Sequence, residues 1–248
     1  MKQLFLATLI FIAVTTKIFA VRPFITDDAA VVGERLLQLE TWLIFDKFSG
    51  QHWMMWAYGP HKQLEMAVGA VFGYEQSQPK YTKFSYAMPL LEMKYLFGEY
   101  KHNKPPGIAS VTGTFLPTGK GEFVAPGYGA YSFMAITQCF GKDENILIHG
   151  NIGLNYLYIN KENQFVLFWG LGTQIKIHKD LHFVGEFISG DPYVSETGVA
   201  YQTGFRYFIN DHIQIDAEVG QGLTGQDKMP FWCGLGLRLV ITTFEKKS

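Results

Sequence analysis

The sequence predicts an all-β fold: an antiparallel transmembrane β-barrel of about twelve strands, preceded by a signal peptide. Three observations predict it. Alternate residues from Asn145 to His178 separate into an apolar set and a polar or glycine set. The alternating stretches run well past the ~5–6 residues usual for strands of soluble sheets. The links between them are mostly tight after even-numbered strands and often longer after odd-numbered ones, the pattern of outer-membrane barrels.

The hairpin Asn145–His178 is the clearest element. Ile146, Ile148, Ile152, Leu154, Tyr156 and Tyr158 share one parity, interrupted only by Gly150, against His149, Asn151, Gly153 and Asn155. After a turn at Asn160–Asn163, Phe165, Leu167, Trp169, Leu171, Ile175 and Ile177 alternate with Gly170, Gly172, Gln174, Lys176 and His178. Successive side chains of a strand point to opposite faces. The hairpin therefore has one greasy face and one polar or glycine face.

The chain opens on Met1-Lys2 and an apolar run, Leu4–Val14, that leads to Ala20. This reads as a secretory signal peptide over residues 1–20. The run is too short to span a bilayer as a helix, which needs ~20 apolar residues. Without Lys2 and Lys17 the balance is 19 basic to 22 acidic residues, a net charge of −3. That excludes the basic surface a nucleic-acid partner would want. Hydrophobic residues make up 48% of the chain and charged ones 17%, yet no later apolar run could cross a membrane as a helix. Residues 21–248 form one barrel domain, in which residues 21–34 read as an arm on the periplasmic side, before the first strand.

The strands follow in order. The first, about Arg35–Phe48, sets Leu37, Leu39, Leu43 and Phe45 against Gln38, Glu40 and Asp46. The second, His52–Tyr58, has no readable parity, because Trp53, Met54, Met55 and Trp56 are consecutive. The third, Gln63–Glu75, alternates cleanly. The fourth, Lys83–Gly98, contains Pro89, which predicts a bend or bulge. The fifth is Gly107–Leu116 and the sixth, Gly127–Gly141, has mixed parity. After the hairpin come Leu181–Ser189, Gly198–Ile209, His212–Leu223 and Pro230–Phe244. An exported β-sandwich would show the same parity. The glycine-rich polar faces and the aromatics near strand ends favour a barrel with interfacial girdles instead. Cys139 and Cys233 fall on opposite walls of such a ring, beyond the ~7 Å Cα separation a disulfide allows; both read as free thiols.

The inward set predicted by parity is Glu40, Glu65, Glu92, Lys94, His149, Asn151, Asn155, Gln174, Lys176, His182, Glu186, Gln202, Arg206, Asp216, Glu218 and Arg238. These groups either line a polar pathway or pair with one another and fill the interior, since buried charges need partners. Both signs occur, so no strong selectivity field is evident. No cofactor or metal is implied, and the partners expected are outer-membrane lipid and a small solute.

Arg22-Pro23-Phe24-Ile25-Thr26-Asp27-Asp28-Ala29-Ala30, followed by Gln38-Leu39-Glu40, resembles the opening of the MetA-pathway of phenol degradation family. Leu116-Pro117-Thr118-Gly119, Gly204-Phe205-Arg206-Tyr207-Phe208 and Gly220-Gln221-Gly222-Leu223 resemble further short motifs of it. The resemblance implies an outer-membrane transporter barrel, passing small molecules that include aromatic or hydrophobic ones; the alternation of short and long links, read separately, puts both termini in the periplasm. Arg22, Pro23, Thr26, Asp27 and Asp28 carry the motif. Phe244 departs from the pattern: Glu245-Lys246-Lys247-Ser248 follows it, and it lies off the apolar parity of its strand. Thr26-Asp27-Asp28 could hold a cation with two carboxylates, but reads rather as a turn capped by its own side chains.

An outer-membrane lipid hydrolase is the competing class, and a structural or adhesive barrel a third. Hydrolysis needs a nucleophile beside an oriented base. His149 with Asn155 is suggestive, but Asn151 stands where a serine is wanted, and His149 is predicted to face inward. His182 and Glu186 lie about 13 Å apart along one strand at ~3.3 Å per residue.

Overall fold

The computed structural model describes residues 24–78, 81–141, 145–191, 194–225 and 229–242. Twelve long strands make one antiparallel sheet: β1 (Leu36–Asp46), β2 (Ser49–His61), β3 (Leu64–Gln78), β4 (Tyr81–Gly98), β5 (Gly107–Phe115), β6 (Tyr128–Phe140), β7 (Ile146–Ile159), β8 (Glu162–Lys176), β9 (Leu181–Asp191), β10 (Val194–Asn210), β11 (Ile213–Gly222) and β12 (Trp232–Thr242). Each pairs with its sequence neighbours. β12 also pairs with β1, from Leu36↔Thr242 to Asp46↔Trp232, and this closes the ring. A two-residue strand, Gly119–Lys120, adds to Ala87 and Tyr86 of β4. No helix among the described residues is long and apolar enough to cross a membrane.

Closure leaves no sheet edge, which suits strands that cross a bilayer, where an unpaired backbone group costs several kcal/mol. The outward face is the apolar one. Phe165 (69% exposed), Leu167 (61%), Ile152 (55%) and Leu235 (56%) show that the greasy set is not in a core. That separates the barrel from a sandwich, which buries its apolar faces. At the tightest hairpin, Ile159 pairs with Glu162, and Asn160 and Lys161 take φ of 53° and 69°. Two left-handed residues in a two-residue loop match the twist of the flanking strands. Pro89 does break regularity. Gly69 pairs with Leu90 but Val71 with Ala87, so Met88 and Pro89 oppose Ala70 alone and one extra residue bulges from β4. Cys139 is buried inside, Cys233 is exposed on the outer wall, and both are free.

The sequence reading left the place of the arm relative to the ring open. The described part of the arm, residues 24–32, lies inside the ring, with Phe24, Ala29 and Val32 3%, 0% and 1% exposed. The reason is hydrogen bonding. Inward side chains of four strands offer acceptors for its backbone N–H groups, which need partners wherever water is excluded. The signal peptide (residues 1–20), Arg22, Pro23 and the tail from Phe244 fall outside the described residues.

Candidate functional site: a barrel interior in two halves

β1 begins and β12 ends at the same rim, here the terminal rim; the opposite one is the far rim. Parity brings every predicted inward residue to the interior. Glu40, Glu65, Glu92, Lys94, His149, Asn151, Asn155, Gln174, His182, Glu186, Gln202, Arg206, Asp216, Glu218 and Arg238 are all buried. Lys176, at the terminal end of β8, is half-buried.

Most of these side chains lie in the terminal half, where they pair across strands. Arg206 Nε donates to Asp216 Oδ1 at 2.8 Å and its Nη1 to Gln174 Oε1 at 2.8 Å. Gln174 Nε2 meets His182 Nδ1 at 2.9 Å, and Gln214 Nε2 donates to Asp216 Oδ2 at 2.6 Å. Next in the ring, Arg238 and Glu40 face each other in the β1–β12 register, with Gln38 Nε2 donating to Glu40 Oε1 at 3.0 Å. Gln202 Nε2 donates to Glu218 Oε2 at 3.1 Å. Such buried charges are tolerable because the groups satisfy one another. His182 and Glu186 do not meet. His182 contacts Gln174, and Glu186 serves the arm.

The arm fills the space inside this polar half. Ile25 and Thr26 donate their backbone N–H groups to the two oxygens of Glu186, at 2.8 and 2.7 Å. Asp27 donates to Asn151 Oδ1 at 2.7 Å, and Asn151 Nδ2 donates back to the Asp27 carbonyl at 2.8 Å. Ala29 donates to Thr137 Oγ1 at 2.9 Å and Val32 to Glu65 Oε2 at 2.7 Å. Lys94 Nζ lies 2.9 Å from Asp27 Oδ2 and 3.7 Å from Asp28 Oδ1. Asp28 also caps the turn by accepting from the Ala30 N–H at 2.8 Å. The capped-turn reading of Thr26-Asp27-Asp28 thus stands, with Lys94 as the cation beside it.

Two features make room for the arm. A Cβ on Gly170 would sit 2.5 Å from Thr26 Oγ1, so this wall position must stay bare where the arm passes. The long 99–106 link, an exception to the short-turn pattern at this rim, has a second use: it buries Tyr100 against Ala29, Leu96, Ala109, Cys139 and Leu147. The link forms a floor under the arm. His149 lies beside it, with Nδ1 3.0 Å from the Thr137 hydroxyl that already accepts from Ala29.

The far half is different, and the inward list above misses it. Trp42, Met55, Leu90, Tyr131, Phe133 and Phe168 are buried there, with Trp53 and Phe115 packed against them. Trp42 stacks on Trp53 at 5.6 Å. Phe115, Tyr131, Phe133 and Phe168 continue as a series of ring contacts at 6.3, 6.4 and 5.6 Å. Ile188 and Trp232 form a second apolar group, which Ile25 of the arm reaches. The polar exceptions are tied down: Tyr131 donates to Glu92 Oε2 at 2.6 Å and Trp232 Nε1 to Gln202 Oε1 at 3.3 Å. A signal for this half did exist. β2 and β6, whose alternation is unreadable or mixed, carry large apolar side chains on both faces.

The geometry can be set beside known proteins. A family model described as Uncharacterised conserved protein UCP029691 matches residues 109–240, from β5 to β12. No curated protein matches the chain. Among solved structures it is similar to the COG4313 outer membrane channel from Pseudomonas putida F1, at 9% identity and a TM-score of 0.67, covering 86% of this chain and 98% of that one. It is similar to the NanC porin at 9% identity and a TM-score of 0.54, covering 84% and 100%. For the KdgM porin the values are 8%, 0.57, 82% and 98%. At such identities the likeness is one of fold, and the fold is that of outer-membrane, porin-like barrels. The MetA-pathway resemblance shares this much with the comparisons, and no finer. The family model covers more than half of the sequence, and the chain belongs to the family of the uncharacterised conserved protein UCP029691.

Proposed function

We propose that this protein is a passive channel of the outer membrane of a Gram-negative bacterium, with the terminal rim in the periplasm, and that it passes small molecules in which aromatic or other apolar groups predominate. The observation that carries the reading is the far half of the interior. There the ring presents stacked indoles and phenyl rings to the interior. Ligand sites are lined in this way, by aromatic surface with a few placed polar groups. The arm in the terminal half acts as the resistance to flow. The finer family reading, the MetA-pathway of phenol degradation, belongs to this proposal and rests on the motif around Thr26-Asp27-Asp28.

Hydrolysis of lipid fits less well. The one histidine that invites it, His149, faces the arm and Thr137 inside the ring rather than lipid. A purely adhesive barrel would have no use for an aromatic interior.

Current through planar bilayers tests the channel reading. The wild-type protein should pass a small, steady current. Gly170→Val, which puts a methyl group where Thr26 Oγ1 now lies 2.5 Å from an ideal Cβ, should dislodge the arm tip and raise that current. Bilayers that stay silent with both proteins would sink the proposal.

A further inference from the structure

The wall is interrupted at the β4 bulge, and a pocket lined by uncharged side chains lies there. Opposite Ala70 of β3, β4 carries Met88 and Pro89 outside the ladder. Pro89 has no N–H to donate, and the Met88 N–H turns to the Thr118 carbonyl at 3.2 Å. On its other side β4 loses its partner at the same height, because β5 ends at Phe115, opposite Leu90. The 116–127 link takes the place of a strand. Gly119 and Lys120 pair with Ala87 and Tyr86, and the Glu122 N–H donates to Ser85 Oγ at 3.2 Å.

Between the link and the wall lies a cavity of about 70 Å³ that opens on one side to the surroundings. Trp53, Val71, Leu90 and Phe115 line it from the wall, and Leu116 and Phe123 from the link. None of the lining side chains is charged. The single polar side-chain group among them, the Trp53 indole N–H, is already donated to Gln51 Oε1 at 2.9 Å. A polar ligand would therefore find no side-chain partner and would lose its hydration on entering, at a cost of several kcal/mol. An apolar ligand meets the uncharged side chains, though it also covers some backbone polar surface. Three of the lining residues are aromatic, and ring pairs at ~4.5–7 Å favour another flat ring over a flexible chain. The lining packs against the aromatic half of the interior, since Trp53 stacks on Trp42 and Phe115 on Tyr131.

We propose that this pocket takes one ring of a small planar apolar molecule, held between Trp53 and Phe115 of the wall and Phe123 of the link, with any second ring outside it in the open space. That such a molecule arrives through the barrel interior rests on the channel reading; that it binds does not.

Soaking crystals of the full protein with 2-bromonaphthalene, and measuring naphthalene binding to the protein in lipid nanodiscs, tests the inference. The expected result is bromine density against Trp53 and Phe123. Two variants should weaken naphthalene binding by more than about tenfold. In Gly69→Leu, the Cβ enters at ordinary contact, 3.4 Å from the Met54 carbonyl, and the side chain fills the pocket. Phe123→Ala removes one ring and leaves every strand untouched, so it serves if the first variant fails to fold. Bromine found only in the lipid belt or in the central interior, or binding unchanged in the variant that folds, would overturn the pocket. The two ideas fail separately. Bromine in the pocket with silent bilayers would leave the pocket standing and remove the channel; current without pocket density would do the reverse.

Discussion

The two halves of the barrel interior share a wall and a register, yet they solve burial in opposite ways. In the terminal half, charged and amide side chains face inward, and most are matched by a neighbouring side chain or by the arm. In the far half, rings face inward and pack on one another. The difference teaches why the arm lies where it does. An extended segment brings a row of backbone N–H groups that must be accepted. Glu186, Asn151, Thr137 and Glu65 accept them in the terminal half. The ring series in the far half has almost no acceptor to offer, so it leaves its surface to apolar partners.

Removing residues 24–32 should break the comparison most completely. The terminal half would become an open polar passage, and single-channel conductance should rise several-fold over wild type. The aromatic half, which barely touches the arm, should keep its packing. A deletion that left conductance unchanged would mean that the arm does not limit flow.

Lys94→Met is the next largest. Asp27 and Asp28 would keep their buried positions without the ammonium that now lies 2.9 and 3.7 Å away. Breaking a buried ion pair from one side costs ~3–5 kcal/mol. Part of this should appear as arm release, read as higher conductance, and part as a lower midpoint of urea unfolding in liposomes. Restoring the charge with Lys94→Arg should recover much of the loss.

Glu186→Gln is milder. One side-chain oxygen would still accept an arm N–H, but the charge that strengthens both bonds would be gone. Hydrogen bonds to charged groups contribute about 1.5–3 kcal/mol each, and one of the two is lost. The expected result is more frequent brief openings in single-channel records, at unchanged full conductance.

The smallest effect belongs to the other half. Phe133→Leu removes a ring from between Tyr131 and Phe168, contacts worth ~0.5–1.5 kcal/mol beyond their area. Stability should fall slightly and the arm should stay in place, with baseline conductance near wild type. If Phe133→Leu released the arm as readily as Lys94→Met does, the two halves would not be independent.

Much of this was legible beforehand, and the reason is periodicity. The period of two in the Asn145–His178 hairpin, and in the first, third and last four strands, assigns faces without any coordinates. Of the sixteen residues expected inside from that parity, fifteen are buried and Lys176 is half-buried. The bulge at Pro89 followed from a missing N–H, and the free cysteines from their places around a ring. What was not legible falls where both faces carry similar side chains. Trp53 to Trp56 gives no contrast, so the inward Trp53 and Met55 could not be told from the outward Trp56. Tyr131 and Phe133 point inward while Ser132 between them points out, which inverts the expected pattern.

The sequence by itself therefore determined the architecture: about twelve long two-faced strands, closed, with the apolar face outward. A strand's own alternation encodes which side each residue takes, because the pleat is local. Only the tertiary structure decided what fills the ring. The arm's acceptors lie more than 100 residues away along the chain for Ile25, Thr26, Asp27 and Ala29. The pocket exists because β4 bulges where β5 ends. Neither relation has a period, and both depend on which strands closure brings face to face across the interior.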